Sequence, residues 1–83
     1  MNLSELKKGE IARIARVNGI EGDPITLRLM ELGMVDGGEV EVVHEAPYGR
    51  DPIAVRVRGA LIALRRSEAA RVELLESEEK VMS

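Results

Sequence analysis

The chain has 83 residues, with 15 acidic and 12 basic side chains, one aromatic residue and no cysteine. A chain of this length forms one domain with a small core, which suits a binding module better than an elaborate active site. Without cysteine there is no disulfide frame, thiolate nucleophile or zinc-finger spacing. The net charge of −3 gives no general attraction to nucleic acid or anionic membrane. No apolar run approaches the ~20 residues of a membrane span and no signal-peptide pattern opens the chain, so we expect an intracellular protein without membrane insertion.

The first element along the chain is ambiguous. Residues 3–9 form a lead-in, and then Ile11, Ile14 and Val17 recur at every third position. That spacing fits neither the alternation of a flat strand nor the pattern of a long helix. The residues alone therefore leave both structures open over 10–17.

A helix is predicted from Pro24 to Leu32, followed by a glycine stop. Asp23 is placed to cap free backbone donors, and proline is favoured at the first helical position. Gly33 stands where a helix end needs a left-handed residue, and Met34 then folds back on the helix. Gly37 lies in the chain reversal that precedes the next strand.

The predicted helix has two apolar sides. Ile25, Leu29 and Leu32 are spaced as one stripe, which we expect to close the core. Leu27 and Met30 lie on roughly the opposite side. Clustered exposed leucine and methionine commonly mark a contact surface, since methionine adapts to a partner's shape.

Four more strands are predicted in the second half of the chain, at residues 40–43, 53–58, 61–65 and 72–75. Gly59-Ala60 forms a short hairpin connection between two of them, and Ser67 is expected to cap a short helical turn. The pattern predicts a mainly β fold, a small SH3-like β-barrel of about five strands with one helix after the first strand and a helical turn before the last. This domain would span residues 1–75, and the polar residues 76–83 would form a disordered tail.

His44 is the only histidine, and Glu45 and Asp51 follow it. Imidazole and carboxylate together suit iron, zinc or manganese. Their spacing matches no known ligand motif, so a solvent-facing strand end is the favoured interpretation. We therefore predict that no cofactor is required, and a weak or transient contact with a transition metal stays open.

Arg56, Arg58, Arg65 and Arg66 raise the question of a basic patch on adjacent strands. One interpretation is phosphate contact by a nucleic-acid-binding small barrel. The favoured one is a solvated face neutralised by neighbouring glutamates. Tyr48 is the only aromatic residue, whereas single-strand binders stack bases on several. No serine has a histidine–acid relay and no acidic pair lies in an apolar setting, so no enzyme is predicted.

Two segments carry a resemblance to a known family. Arg28–Val42 reads as a helix ending Arg-Leu-x-x-Leu-Gly, a glycine-bearing turn and a strand. Asp51–Ala70 reads as a closing hairpin followed by a short helical turn. In their order and spacing these segments resemble the FeoA family, the small accessory proteins of bacterial and archaeal ferrous-iron uptake. The resemblance runs from about Leu3 to Leu75.

The resemblance implies a strand with a bulge over residues 10–17. It also implies a non-enzymatic cytoplasmic protein that binds and modulates FeoB, the membrane ferrous-iron transporter with a GTP-binding domain. We hypothesise that Leu27, Met30 and the loop containing Tyr48 and Arg50 form part of the face presented to that transporter. The alternative is a nucleic-acid-binding barrel that uses the arginine-bearing face.

Overall fold

The structure is a computed structural model that describes residues 1–19 and 22–75. The predicted tail at 76–83 lies outside the described residues. The elements follow in this order: a 3₁₀ turn Leu3–Glu5, β1 Ile11–Val17, α1 Pro24–Glu31, β2 Glu39–Glu45, β3 Ile53–Val57, β4 Ala60–Leu64, α2 Arg66–Ala69 and β5 Val72–Leu74. The strands form one antiparallel sheet in the order β4-β3-β2-β1-β5. The predicted mainly β architecture, with its inserted helix and its helical turn before the last strand, is confirmed.

β1 contains the predicted irregularity. Its first half pairs with β2 and its second half with β5, and the register shifts between Ile14 and Arg16. A bulge of this kind interrupts the alternation of side chains and bends the strand. The bulge places Ile14 and Val17 on the core side although they are three residues apart, whereas Ile11 at the start of the strand is exposed.

α1 ends in the arrangement predicted from Gly33. The N–H of Gly33 donates to the Met30 carbonyl and the N–H of Met34 to the Leu29 carbonyl, each at 3.0 Å. These two bonds define a Schellman motif. Gly33 has a φ of 107°, the left-handed conformation that the motif requires.

The core lies against the inner face of the sheet. Leu29 of α1 is fully buried, whereas Ile25 and Leu32 of the predicted stripe are half-buried. The lead-in contributes Leu3 and Leu6, which sequence patterning did not assign to the core. The buried side chains are Leu3, Leu6, Ile14, Leu29, Met34, Val40, Val42, Ile53, Val55, Val57, Leu64, Ala69, Val72 and Leu74.

The β3–β4 hairpin turns one residue earlier than predicted. Val57 pairs with Ala60, so the loop consists of Arg58 and Gly59, with φ values of 53° and 81°. Positive φ at both positions is the signature of a type I′ turn, whose twist matches that of the flanking strands. Ala60 belongs to β4 and not to the connection.

α2 also begins earlier than predicted, because it starts at Arg66 with Arg65 as its N-cap residue. Ser67 therefore lies inside the helix and does not cap it. Neither helix in the described part of the chain is long and apolar enough to cross a membrane.

Candidate partner-binding surface

Two large apolar side chains of α1 are exposed. Leu27 is 51% exposed and Met30 is 48% exposed, while Leu29 between them is buried. α1 is only two turns long, and such a helix depends on tertiary packing for its stability. Leu29 provides that packing, and Leu27 and Met30 remain accessible.

A groove of about 330 Å³ lies beside Met30, between the end of α1 and β1. Met34 is fully buried beneath it, and Val35 is partly exposed at its edge. Arg16 and Asp36 contribute opposite charges to the lining. The full lining is Ala15, Arg16, Val17, Met30, Met34, Val35 and Asp36.

The sequence did not predict this groove. Val35 lies two residues after the glycine stop at Gly33, and the β1 residues come from the segment whose structure was ambiguous. The only sequence signal was the apolar type of Val35 in the turn, and its exposure became visible only in the structure. The groove itself depends on packing between residues about twenty positions apart, and a local pattern does not report such packing.

We refer to Leu27, Met30 and Val35 together as the α1 patch. Its position depends on the N-terminus of α1, where Asp23 is held by several donors. The Ile25 N–H donates to Asp23 Oδ1 at 3.2 Å, and Thr26 Oγ1 donates to Oδ2 at 3.3 Å.

Arg71, just before β5, also donates to Asp23 Oδ2. This guanidinium hydrogen bond, with smaller contributions from the donors of α1, holds the pKa of the Asp23 carboxyl below its usual value against the opposing effect of desolvation. Asp23 therefore fixes α1 to the start of β5 in its ionised form.

The loop between β2 and β3 contains the other predicted contact residues. Tyr48 is 91% exposed. Arg50 has a φ of 53°, which is uncommon for a residue other than glycine, and its carbonyl accepts a hydrogen bond from Arg66 Nε at 2.6 Å. The loop thus presents its aromatic side chain while Arg66 fixes its backbone.

Arg66 joins three parts of the fold. Besides the Arg50 carbonyl, its guanidinium donates to the Ser4 carbonyl in the 3₁₀ turn and lies 3.3 Å from Glu45 Oε2 in β2. The backbone N–H of Arg66 donates to Asp51 Oδ1 at 3.0 Å. Arg66 is therefore a structural residue and does not present a free cation to an anionic ligand.

The three weak candidates for metal ligands, His44, Glu45 and Asp51, have other surroundings in the structure. Glu45 and Asp51 both interact with Arg66, and His44 is exposed in β2. Within residues 1–19 and 22–75, no group of three or more His, Cys, Asp or Glu side chains is placed to hold a metal ion. The structure does not bring these three residues together as a ligand set.

The predicted arginine patch is also divided. Arg56 Nη1 lies 3.2 Å from Glu41 Oε1 on the neighbouring strand. The stem of Arg58 lies over Gly33, and Arg66 is bound as described above. Arg56 and Arg66 are thus paired with glutamates, as the neutralised interpretation expects, whereas Arg58 and Arg65 are solvent-exposed.

α1 and the Tyr48–Arg50 loop are connected only indirectly. Among the described residues, no hydrogen bond or ion pair joins them, but α2 contacts both. Arg28 Nη1 of α1 lies 2.8 Å from Glu68 Oε2 of α2, and Arg66 of α2 contacts the loop. The α1 patch and the loop are therefore two surfaces that share α2 as a common support.

The five-stranded sheet, with a helix after its first strand, defines a small domain of the SH3-like class. The FeoA domain model matches residues 1–75, and the chain belongs to the FeoA family. It is similar to FeoA from Stenotrophomonas maltophilia, a prokaryotic SH3 domain protein solved in complex with zinc. The identity is 42% and the TM-score 0.82, over 90% of this chain and 89% of that one.

Two further relatives are informative. Iron(II) transport protein A from Clostridium thermocellum is 38% identical, with a TM-score of 0.80, over 89% of this chain and 44% of that one. A fusion protein of Fe(2+) transport protein A and Fe(2+) transporter FeoB from Porphyromonas gingivalis is 40% identical over 74 residues. The match covers 89% of this chain but only 8% of the fusion protein.

Proposed function

We propose that this protein is a non-enzymatic accessory protein of ferrous-iron transport that binds a FeoB-type transporter in the cytoplasm and modulates it. The observation that carries the proposal is the fusion protein from Porphyromonas gingivalis, in which a relative of this domain is joined to FeoB. Covalent linkage keeps two domains at a high effective concentration, which is of use when the domains contact each other. A separate chain of the same family would make that contact by ordinary association.

The α1 patch is the surface we assign to this contact. Complete burial of a leucine or methionine side chain contributes about 1.5–3 kcal/mol, and Leu27 and Met30 are each about half exposed. Each therefore has on the order of 1 kcal/mol still to gain on binding. The adjoining groove would receive an apolar side chain of the transporter, with Arg16 and Asp36 fixing its orientation.

The Tyr48–Arg50 loop is the second part of the proposed surface. A tyrosine provides a large amphipathic contact area at low conformational cost. Since α2 supports both the loop and α1, a partner that spans α2 would contact both regions.

The proposal is tested by affinity capture. The tagged full chain is incubated with detergent-solubilised membranes of cells that express a FeoB-type transporter, and the bound proteins are identified by mass spectrometry. We expect recovery of the transporter, and its absence from the captured fraction would contradict the proposal. In a parallel assay, RNA or DNA binding that weakens steeply with salt would support the nucleic-acid-binding alternative instead.

A further inference from the structure

The two edge strands of the sheet differ in whether other residues pair with their outer backbone groups. β5 lies at one end, and the N-terminal residues cover it, because Asn2 bridges to Glu73 and the Leu74 N–H donates to the Met1 carbonyl at 2.9 Å. β4 lies at the other end. Within the described part of the chain, β3 is the only strand that pairs with it.

The hairpin geometry shows which backbone groups of β4 remain unpaired. A two-residue turn makes Val57 and Ala60 a hydrogen-bonded pair, and such pairs alternate along an antiparallel ladder. The N–H and C=O groups of Leu61 and Ala63 therefore point away from β3. No hydrogen bond between described residues reaches them.

β4 lacks the features that normally protect an edge strand. Its sequence, Ala-Leu-Ile-Ala-Leu, contains neither a charged residue nor proline, and its register with β3 has no bulge. Leu64 is buried and anchors the strand, whereas Leu61 is 64% exposed. An uncharged, regular edge of this kind is a template for pairing with another strand.

The residues that flank β4 indicate the chemistry of its partner. Arg58 and Arg65 are both exposed, one before the strand and one after it, and the aliphatic stem of Arg58 lies over Gly33 at the end of α1. Antiparallel pairing of β4 with a second copy would bring Arg58 of each copy close to Arg65 of the other at both ends, and like charges across a strand pair are destabilising. An acidic segment would instead find a positive charge at each end.

We propose that β4 binds an extended segment of another protein by strand addition, a segment with apolar residues at alternate positions and Asp or Glu at its ends. The backbone groups of Leu61 and Ala63 supply the hydrogen bonds, and the exposed Leu61 side chain supplies an apolar contact. Arg58 and Arg65 select the acidic ends. No residue of this site belongs to the α1 patch, and the proposal does not depend on the transporter contact.

The first test uses a synthetic peptide of sequence Glu-Val-Thr-Val-Thr-Val-Glu and the ¹⁵N-labelled full chain. At a saturating peptide concentration, amide hydrogen exchange at Leu61 and Ala63 should slow by about tenfold or more, because both N–H groups become hydrogen-bonded. A peptide with Lys at both ends should bind at least about tenfold more weakly. A peptide N-methylated on the edge that faces β4 should not protect these amides.

The second test uses protein variants. Ala63→Pro removes an edge donor without removing a bond to β3, and proline is tolerated at such a position. It should keep the circular dichroism spectrum and weaken binding of the acidic peptide by about tenfold. Leu61→Lys should also weaken binding. Ile11→Lys is the control and should not weaken it, because Ile11 is a similarly exposed aliphatic residue on β1, which is not an edge strand.

Three results would overturn the proposal: unchanged exchange at Leu61 and Ala63 with the acidic peptide, equal protection by the N-methylated peptide, or a dimer in sedimentation that protects these amides without peptide. If Ala63→Pro does not fold, the comparison of the two peptides on the unmodified chain decides the question.

Discussion

Gly33 satisfies two requirements at one position. Its φ of 107° closes the Schellman motif at the end of α1. In addition, a Cβ atom at this position would lie 2.7 Å from Arg58 Cδ, closer than real Cβ atoms pack. Since Arg58 Cδ belongs to a flexible side chain, we expect the backbone conformation to be the larger of the two constraints.

We predict that Gly33→Ala lowers the free energy of unfolding by about 1 kcal/mol or more, because alanine must adopt a left-handed conformation. Gly37→Ala is the matched control, since Gly37 has a φ of 83° but open space around it. Any additional loss at Gly33 should disappear in an Arg58→Ala background. Urea denaturation measures all four variants, and an unchanged stability of Gly33→Ala would contradict the assigned cap.

At the scale of elements, the features that the sequence predicted are those with local causes. Asp23-Pro24 and Gly33 determine the ends of α1 through contacts within a few residues, and both ends are confirmed. The β3–β4 hairpin was predicted one residue out of place. The sequence offered two glycine-containing dipeptides there, and only the strand register distinguishes them.

The features that the sequence missed depend on long-range contacts. Arg66 reaches the Ser4 carbonyl across 62 positions, so no local pattern shows that its charge is used inside the fold. Leu3 and Leu6 enter the core because the 3₁₀ turn packs near α2 and β5. For the same reason, Glu45 and Asp51 resembled metal ligands in the sequence although both interact with Arg66.

The contact between α1 and β5 depends on pH. Arg71 lowers the pKa of the Asp23 carboxyl in the folded state below the usual 3.8. A carboxyl with a depressed folded pKa contributes stability that is fully present above the unfolded pKa and is lost as the pH falls through the folded pKa. Asp23 therefore stabilises the fold near neutral pH and ceases to do so in acid below 3.8.

We predict that the stability difference between the native chain and Asp23→Asn is largest near neutral pH and shrinks as the pH falls below 3.8. Asparagine caps helices about as well as aspartate, so this substitution isolates the charge. In an Arg71→Ala background the pH dependence of the difference should diminish. Thermal melts from neutral to acidic pH measure this, and a difference that stays constant over the range would refute the ionic contact.

At the scale of the whole molecule, only part of the candidate surface followed from the sequence. Helical periodicity placed Leu27 and Met30 opposite Leu29, and their exposure confirms that placement. Their role in binding remains a prediction. The groove beside Met30 could not be predicted from the sequence. Its lining residues Ala15 to Val17 and Val35 come together only in the folded chain, where β1 bends.

We predict that folding requires no metal ion. The chain has no cysteine and one histidine, so the usual tetrahedral structural site cannot be built from it. The melting temperatures with excess EDTA, without EDTA and with added zinc should coincide. A large decrease in melting temperature on chelation would show that a structural metal site exists.

We propose above that the α1 patch binds a FeoB-type transporter. The most direct test of this proposal is transporter capture by Leu27→Asp/Met30→Asp. Both residues are about half exposed, so each substitution should cost on the order of 1 kcal/mol of unfolding free energy, and the double variant should keep the circular dichroism spectrum. Two buried negative charges at the interface should abolish capture.

Ile11→Asp is the matched control for Met30→Asp, because it places one negative charge at an aliphatic residue that is 57% exposed but lies on β1 and not on α1. We expect Ile11→Asp to capture the transporter as the native chain does, Met30→Asp to be impaired, and the double variant to capture none. A double variant that unfolds would show that Leu27 and Met30 belong to the core. A folded double variant that still captures the transporter would contradict the claim.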